Sequence, residues 1–321
     1  MYPQLPASPL YPLPISSLVP ELQSMAGLKV GWIGTGVMGK SMAEHLMNAG
    51  YKLAVFNRTP AKAQALVERG AEFSSIAEIG RTCQVVFSMV GYPHDVDEVI
   101  LGTAGLFKSI QPGALFIDHT SSSPVLATRI FEEGRKLGVA CLDAPVSGGD
   151  VGARTGKLAI MVGGEEEPLA RAMEFLSKYG ANIQHMGGPG LGQHTKLTNQ
   201  IILAGNMIGM VEGLVYSYKA GLDLTKMIEL ISSGAAGSAS LRILGPRIVS
   251  GDLEPGFYIE HYVKDMGMAL EECKRMGLCL PNLSLVNQFY QSLVGAGMAR
   301  KGTQALIQVL EKLNGVKVSR I

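Results

Sequence analysis

Short runs of almost continuous apolar residues recur along the first half of the chain: LKVGWI (28–33), YKLAVF (51–56), CQVVFSMV (83–90), GALFIDHT (113–120), VACLDAPV (139–146), KLAIMVGG (157–164) and NIQHM (182–186). Runs that do not alternate with polar residues predict strands covered on both faces. The amphipathic stretches between many of them predict the covering helices. After Gly187-Gly188-Pro189-Gly190 the period changes. From Gln193 to about Ala220 there is no proline and apolar residues return at helical spacing, which predicts one long helix. Further helical stretches follow, with a Gly/Ser-rich break at Ser232 to Ser240. An α/β domain followed by an all-helical one is therefore expected, joined where the long helix begins.

The first run leads directly into GWIGTGVMGKSM, Gly31 to Met42. Gly-x-Gly-x-x-Gly carries little weight by itself in a chain with 40 glycines. Here a strand precedes it, a helix ending near Gly50 follows, and a second strand closes at Phe56. That is the βαβ unit of a dinucleotide fingerprint. In that unit Gly34 makes the tight turn, Gly36 lets the backbone approach a pyrophosphate, and Gly39 lets helix and strand pack closely. The helix N-terminus then offers free N–H groups to phosphate. The second strand ends in Asn57-Arg58-Thr59, without the acid that would accept both ribose hydroxyls of NAD and repel a 2′-phosphate. Arg58 beside that position favours NADP(H), with NAD(H) the second choice, unless it is only a solvated surface residue.

Two later segments carry candidate chemistry. In GGPGLGQHTKLTNQ (187–200), Lys196, Asn199, Gln200 and Leu203 share one helix face beside a glycine-rich hinge. Spacing alone leaves Lys196 open between a cleft residue and a solvated one, and puts His194 on the other side of the helix. In LDAPVSGG (142–149), a strand end enters Ser147-Gly148-Gly149, whose N–H groups and hydroxyl suit a carboxylate, or simply turn the chain. His119 is a possible acid but more simply a structural strand-end residue. The run Glu165 to Glu167 reads as a solvated first helical turn.

Bulk composition narrows the classes without choosing among them. A length of 321 residues suits two domains, because single cores stop growing at roughly 250–300 residues. A formal net charge of +1 provides no footprint for nucleic acid. The richest apolar stretch, Ile201 to Val215, is interrupted by glycines, Asn206 and Glu212, so no membrane span is expected. Four scattered cysteines suit a reduced intracellular setting. The proline-rich arm over residues 1–27 lacks the arginines of a transit peptide and the basic start of a secretory signal. A cytoplasmic location is expected, with a mitochondrial one as the alternative.

Taken in order, VGWIGTGVMGKSM, FNRT, Asp118-His119-Thr120-Ser121, DAPVSGG, GQHTKLTNQ and PGFYIEHYVKDMGMAL (255–270) resemble the β-hydroxyacid dehydrogenase family, from about Leu28 to the C-terminal region. That family includes 3-hydroxyisobutyrate dehydrogenases, tartronate-semialdehyde reductases and glyoxylate/succinic-semialdehyde reductases. The resemblance implies an α/β Rossmann-type domain over residues 28–190 and an all-α substrate and oligomerisation domain over 191–321, assembled as a homodimer or homotetramer.

Carried over by position, Lys196 is the catalytic lysine and Asn199 its helix partner, expected to orient it by hydrogen bonding. Ser147, Gly148 and Gly149 hold the substrate carboxylate, and Ser121 lies near the nicotinamide ribose and the substrate. Phe257 and Asp265 line the cleft. The implied cofactor set is Gly34, Thr35, Gly36, Val37, Met38 and Gly39, then Asn57, Arg58 and Thr59, then Met89, Val90, Ser121 and Lys264. Asn199-Gln200 stands where the family usually has two asparagines, and KGTQAL (301–306) lacks an aspartate often seen there. The implied reaction is hydride transfer between nicotinamide and a small 3-hydroxy acid, semialdehyde acid or 2-oxo acid. It uses lysine as general acid or base and needs no metal. An imine reductase or a non-catalytic NADPH-binding scaffold is the alternative; relatives of both kinds usually lack the lysine.

Overall fold

The computed structural model describes residues 28–318; the proline-rich arm lies outside them. One sheet contains β1 (Lys29–Ile33), β2 (Lys52–Phe56), β3 (Glu72–Phe73), β4 (Val85–Ser88), β5 (Leu115–Asp118), β6 (Ala140–Asp143), β7 (Val146–Ser147), β8 (Leu158–Gly163) and β9 (Gly180–Gly187). Its order is β3-β2-β1-β4-β5-β6-β8-β7, with β9 on β8. The first six strands run parallel, and β8 pairs antiparallel with both β6 and β7. The order reverses between β1 and β4, and open sheets of this kind bind ligands in the crevice at that reversal.

Each predicted run forms a strand, and VACLDAPV forms two. The split falls at Ala144-Pro145, where Pro145 has no N–H for a ladder and the chain leaves the parallel pairing for the antiparallel one with β8. The two-residue β3 is too short to show a period and was not expected.

Helices alternate with these strands: α1 (Val37–Asn48), α2 (Gln64–Val67), α3 (Ile76–Thr82), α4 (Pro93–Leu101), α5 (Pro124–Lys136), α6 (Gly149–Thr155) and α7 (Glu166–Leu176). The continuous hydrophobicity is explained by two cores, one on each face. Trp32, Phe87 and Ile117 enter one with Met42, Leu46 and Phe175. Their neighbours Ile33, Val86 and Phe116 enter the other with Ile79 and Phe107. Successive residues of a strand point to opposite faces, so both faces need apolar residues.

The helical part comprises α8 (Leu191–Lys219), α9 (Leu224–Ser232), α10 (Ala239–Val249), α11 (Ile259–Met276), α12 (Pro281–Gly295) and α13 (Ile307–Asn314). The Gly/Ser break falls between α9 and α10, as expected. Met207, Val211 and Leu214 of α8 meet Tyr262 and Met266 of α11 and Val286 and Tyr290 of α12 in a third core. By length and hydropathy α8 could cross a bilayer, contrary to the reading of its interrupted apolar stretch. Its buried positions instead form the centre of this core, and its first turns carry Lys196.

Candidate active site

The glycine loop is tight at two of its glycines and open at the third. Gly34 has φ +97°, and a Cβ there would strike the Met89 carbonyl; a Cβ on Gly39 would strike the Gly34 carbonyl. At Gly36 a Cβ would meet no atom within 4 Å, so that side of the loop is open. Trp32 fixes the turn from below by donating its indole N–H to the Gly34 carbonyl at 2.9 Å. Val90 N donates to Thr120 Oγ1 at 3.0 Å, tying the loops after β4 and β5 together.

No side chain caps α1, and its first turn holds no acid. Its leading N–H groups therefore remain for an anion, beside the 60% exposed Val37 and the half-buried Met38. Thr35 has a buried hydroxyl without a partner among the described residues. An open glycine, an uncapped helix and an unpaired hydroxyl together fit a bound pyrophosphate. After β2, Asn57 Oδ1 accepts from Thr59 N at 2.8 Å, turning the chain. Arg58 extends from this turn, and its Nη1 lies 3.0 Å from Asp95 Oδ1 on α4.

Lys196 is 8% exposed, one turn into α8. Burial pulls its amine below the usual lysine range; Asp265 opposes that shift and the neighbouring Lys264 charge reinforces it. Asp265 and Lys264 come from α11. Asp265 Oδ2 accepts from Gln200 Nε2 at 2.6 Å, and its Oδ1 lies 3.2 Å from Lys264 Nζ. Lys264 Nζ also donates to the carbonyls of Ser121 at 2.8 Å and Gly91 at 3.2 Å, so one ammonium joins α11 to both loops.

Asn199 differs from expectation. Its Nδ2 donates to Gln200 Oε1 at 2.7 Å, and it makes no hydrogen bond to Lys196 among the described contacts. The amide is taken by its neighbour on the helix: Gln200, 1% exposed, links Asn199 to Asp265.

Ser147 is half-buried at the end of β7, followed by exposed Gly148 and Gly149 at φ +133° and +62°. Both values lie in the region open mainly to glycine, so this turn requires these residues. A Cβ on Gly149 would lie 3.8 Å from the Gly256 carbonyl, which brings this loop to the segment before α11 that carries Phe257. Phe257 packs 5.6 Å from Tyr262, centroid to centroid. Gln304, in KGTQAL, shapes the same segment by donating to the carbonyls of Asp252 and Glu254.

Two further residues join the halves of the molecule. Asp143, ending β6, accepts from Gly190 N and Gln193 N, each at 2.8 Å, at the start of α8. Gln193 is buried and donates to Thr120 O at 2.7 Å, while its Oε1 accepts from Ser122 N at 2.9 Å. Burial pushes the Asp143 carboxyl up to about 6. Neither residue stands out in the sequence, apart from Asp143 being an acid ending an apolar run.

His119 has its structural role. Nδ1 donates to Ala144 O at 2.7 Å, leaving Nε2 to accept from the Tyr179 hydroxyl at 2.8 Å. Stacked on Phe87 and fully buried, it has its pKa pushed down to about 4 and is neutral at pH 7.

Comparison with known proteins agrees with this geometry. Residues 29–188 match the family described as the NAD-binding domain of 6-phosphogluconate dehydrogenase. Residues 190–310 match that of the NAD-binding region of NADP-dependent 3-hydroxyisobutyrate dehydrogenase. The chain is 47% identical over 305 residues to the probable 3-hydroxyisobutyrate dehydrogenase-like 1, mitochondrial, of Arabidopsis thaliana, covering 94% of this chain and 91% of that one. It is 34% identical to the 2-hydroxy-3-oxopropionate reductase of Escherichia coli, covering 91% of this chain and all of that one. A solved structure of Mycobacterium tuberculosis 3-hydroxyisobutyrate dehydrogenase with L-serine superposes with a TM-score of 0.81 at 28% identity, covering 88% of this chain and 99% of that one. The chain belongs to the β-hydroxyacid dehydrogenase family of nicotinamide-dependent oxidoreductases.

Proposed function

We propose that this chain is an NADP(H)-preferring reductase or dehydrogenase acting on a small 3-hydroxy acid, semialdehyde acid or 2-oxo acid, with Lys196 as its general acid and base. The observation that carries this reading is a buried lysine with a lowered pKa, within the influence of Asp265 and Lys264 of α11. Bound nicotinamide would supply or accept the hydride. Lys196 would stabilise the charge growing on the substrate carbonyl oxygen and then donate a proton to it; in the other direction its neutral amine would take the hydroxyl proton. Ser147, Gly148 and Gly149 would receive the substrate carboxylate, with Ser121, Phe257 and Asp265 lining the cleft. Asn199, Gln200 and Asp265 form a hydrogen-bonded chain suited to fixing the polar wall beside the lysine. Oxidation of NADPH against a panel of short 2-oxo and semialdehyde acids tests the reading, and turnover of none of them would refute it.

The cofactor would lie along Gly34 to Gly39, with Asn57 to Thr59 at its ribose, Met89 and Val90 along the crevice, and Lys264 and Ser121 near the nicotinamide. Arg58→Ala is expected to raise KM for NADPH by about tenfold, the value of a charge-assisted bond to phosphate, with little change for NADH. An equal rise for both cofactors would remove the 2′-phosphate argument.

The separate cores support a cofactor domain over residues 28–190 and a helical domain from 191 onward. Exposed Ile202, Tyr216, Leu230 and Ile243 on the helical part support a homodimer or homotetramer built there. Free cysteines, three of them buried, support a reducing compartment, cytoplasmic or mitochondrial.

A further inference from the structure

We propose that Asp95 limits how strongly this chain discriminates NADP(H) from NAD(H), by holding Arg58 in an ion pair that a 2′-phosphate must break. The inference rests on the reading of Arg58 as the 2′-phosphate ligand. The two partners are unequal. The Arg58 side chain is 82% exposed and that of Asp95 only 10%. Asp95 is fixed by its own helix: Oδ2 accepts from Tyr92 N at 3.2 Å, closing the cap of α4. Capping needs only one oxygen. The other, Oδ1, is turned to Arg58 Nη1 at 3.0 Å, with His94 Nε2 3.8 Å away.

As a contribution to stability, an ion pair this exposed is worth little. Its effect on selectivity is different, because only one of the two cofactors uses the guanidinium. A 2′-phosphate has to compete with Asp95 for Arg58 and carries its own negative charge towards a carboxylate. A cofactor with a 2′-hydroxyl meets neither cost. Asp95 therefore weakens NADP(H) while leaving NAD(H) untouched, so a chain with no acid at the end of β2 remains tolerant of both.

The test measures NADPH and NADH dissociation constants by fluorescence titration at fixed ionic strength, for wild type, Asp95→Asn, Arg58→Ala and the double variant. Asparagine keeps an oxygen for Tyr92 N, and Asp95→Gln, whose amide oxygen also suits this third helical position, serves if Asp95→Asn does not fold. Asp95→Asn is expected to tighten NADPH about threefold, the scale of an exposed ion pair, with NADH unchanged and a smaller gain when Arg58 is already alanine. An unchanged NADPH-to-NADH ratio in Asp95→Asn overturns the proposal, as does weaker NADPH binding. An equal gain in the Arg58→Ala background also overturns it, since Asp95 would then act on the phosphate without Arg58. If Arg58→Ala itself leaves the ratio unchanged, the NADP reading falls first and the proposal with it. A higher NADPH-to-NADH ratio of dissociation constants in Arg58→Ala with no effect of Asp95→Asn overturns the proposal alone.

Discussion

Lys196→Ala is expected to lower kcat at least about a hundredfold, the scale of losing a general acid, while NADPH binding persists. The separation follows from position. Lys196 is on α8 with Gln200, facing Asp265 of α11, whereas the phosphate-facing N–H groups and Arg58 belong to α1 and the turn after β2. The pH dependence gives a second readout. Burial favours the neutral amine, so the lysine changes charge below its ordinary range. Reduction needs the ammonium, so its rate is expected to fall as pH rises through that lowered pKa. Oxidation needs the amine, so its rate should rise over the same interval. Both limbs should vanish in the alanine variant. Near-normal turnover by Lys196→Ala would remove the lysine from the mechanism.

The parts of this arrangement that were legible in the sequence are those that local constraints dictate. A strand covered on both faces has to be apolar at every position, so β1, β2, β4, β5 and β6 appear as unbroken runs. A turn at φ +97° against a carbonyl has to be glycine, so Gly34 reveals the loop. Periodicity groups Lys196 with Asn199 and Gln200 on one helix face but leaves its burial open, and its proposed role comes from resemblance. What remained hidden depends on contacts between distant elements. Gln200 takes the amide of Asn199 because Asp265, 65 residues further along, accepts its other end. No spacing rule contains that partner. Arg58 could be read as a phosphate ligand from its neighbours in the chain, but Asp95, 37 residues away, becomes its partner only when the first turn of α4 meets the turn after β2. The length and mean hydropathy of α8 are not legible from its interruptions: glycines and one acid break the apolar stretch without lowering its mean hydropathy enough, and its packing against α11 and α12 involves residues far along the chain.

Asp143 leads to the second large effect. α8 starts at Gly190 in the left-handed region, and its leading N–H groups need acceptors. Asp143 provides one oxygen to Gly190 N and the other to Gln193 N, one residue short of the turn that carries Lys196. The approach is close. A Cβ on Gly192 would lie 2.6 Å from the Asp143 carbonyl oxygen and 2.8 Å from its Oδ2, so the glycines of GGPGLG are what let the helix reach this acid.

Asp143→Ala leaves two buried donors unpaired and is expected to cost on the order of 3 kcal/mol of stability. Asp143→Asn is the more informative variant, because opposing terms nearly offset in its stability. It loses one charge-assisted bond and turns an NH₂ towards an N–H, but it also removes the buried charge whose desolvation holds the carboxyl at about 6. The start of α8 must still shift to relieve the donor–donor contact. A small displacement of a catalytic group from a distant change is costly, so kcat is expected to fall about tenfold at a temperature where the protein is fully folded. NADPH affinity should hold, because Arg58 and the α1 N-terminus are untouched. Calorimetric unfolding together with steady-state kinetics separates the two effects: a stable Asp143→Asn variant with full kcat would show that the acid closes the fold without positioning the lysine.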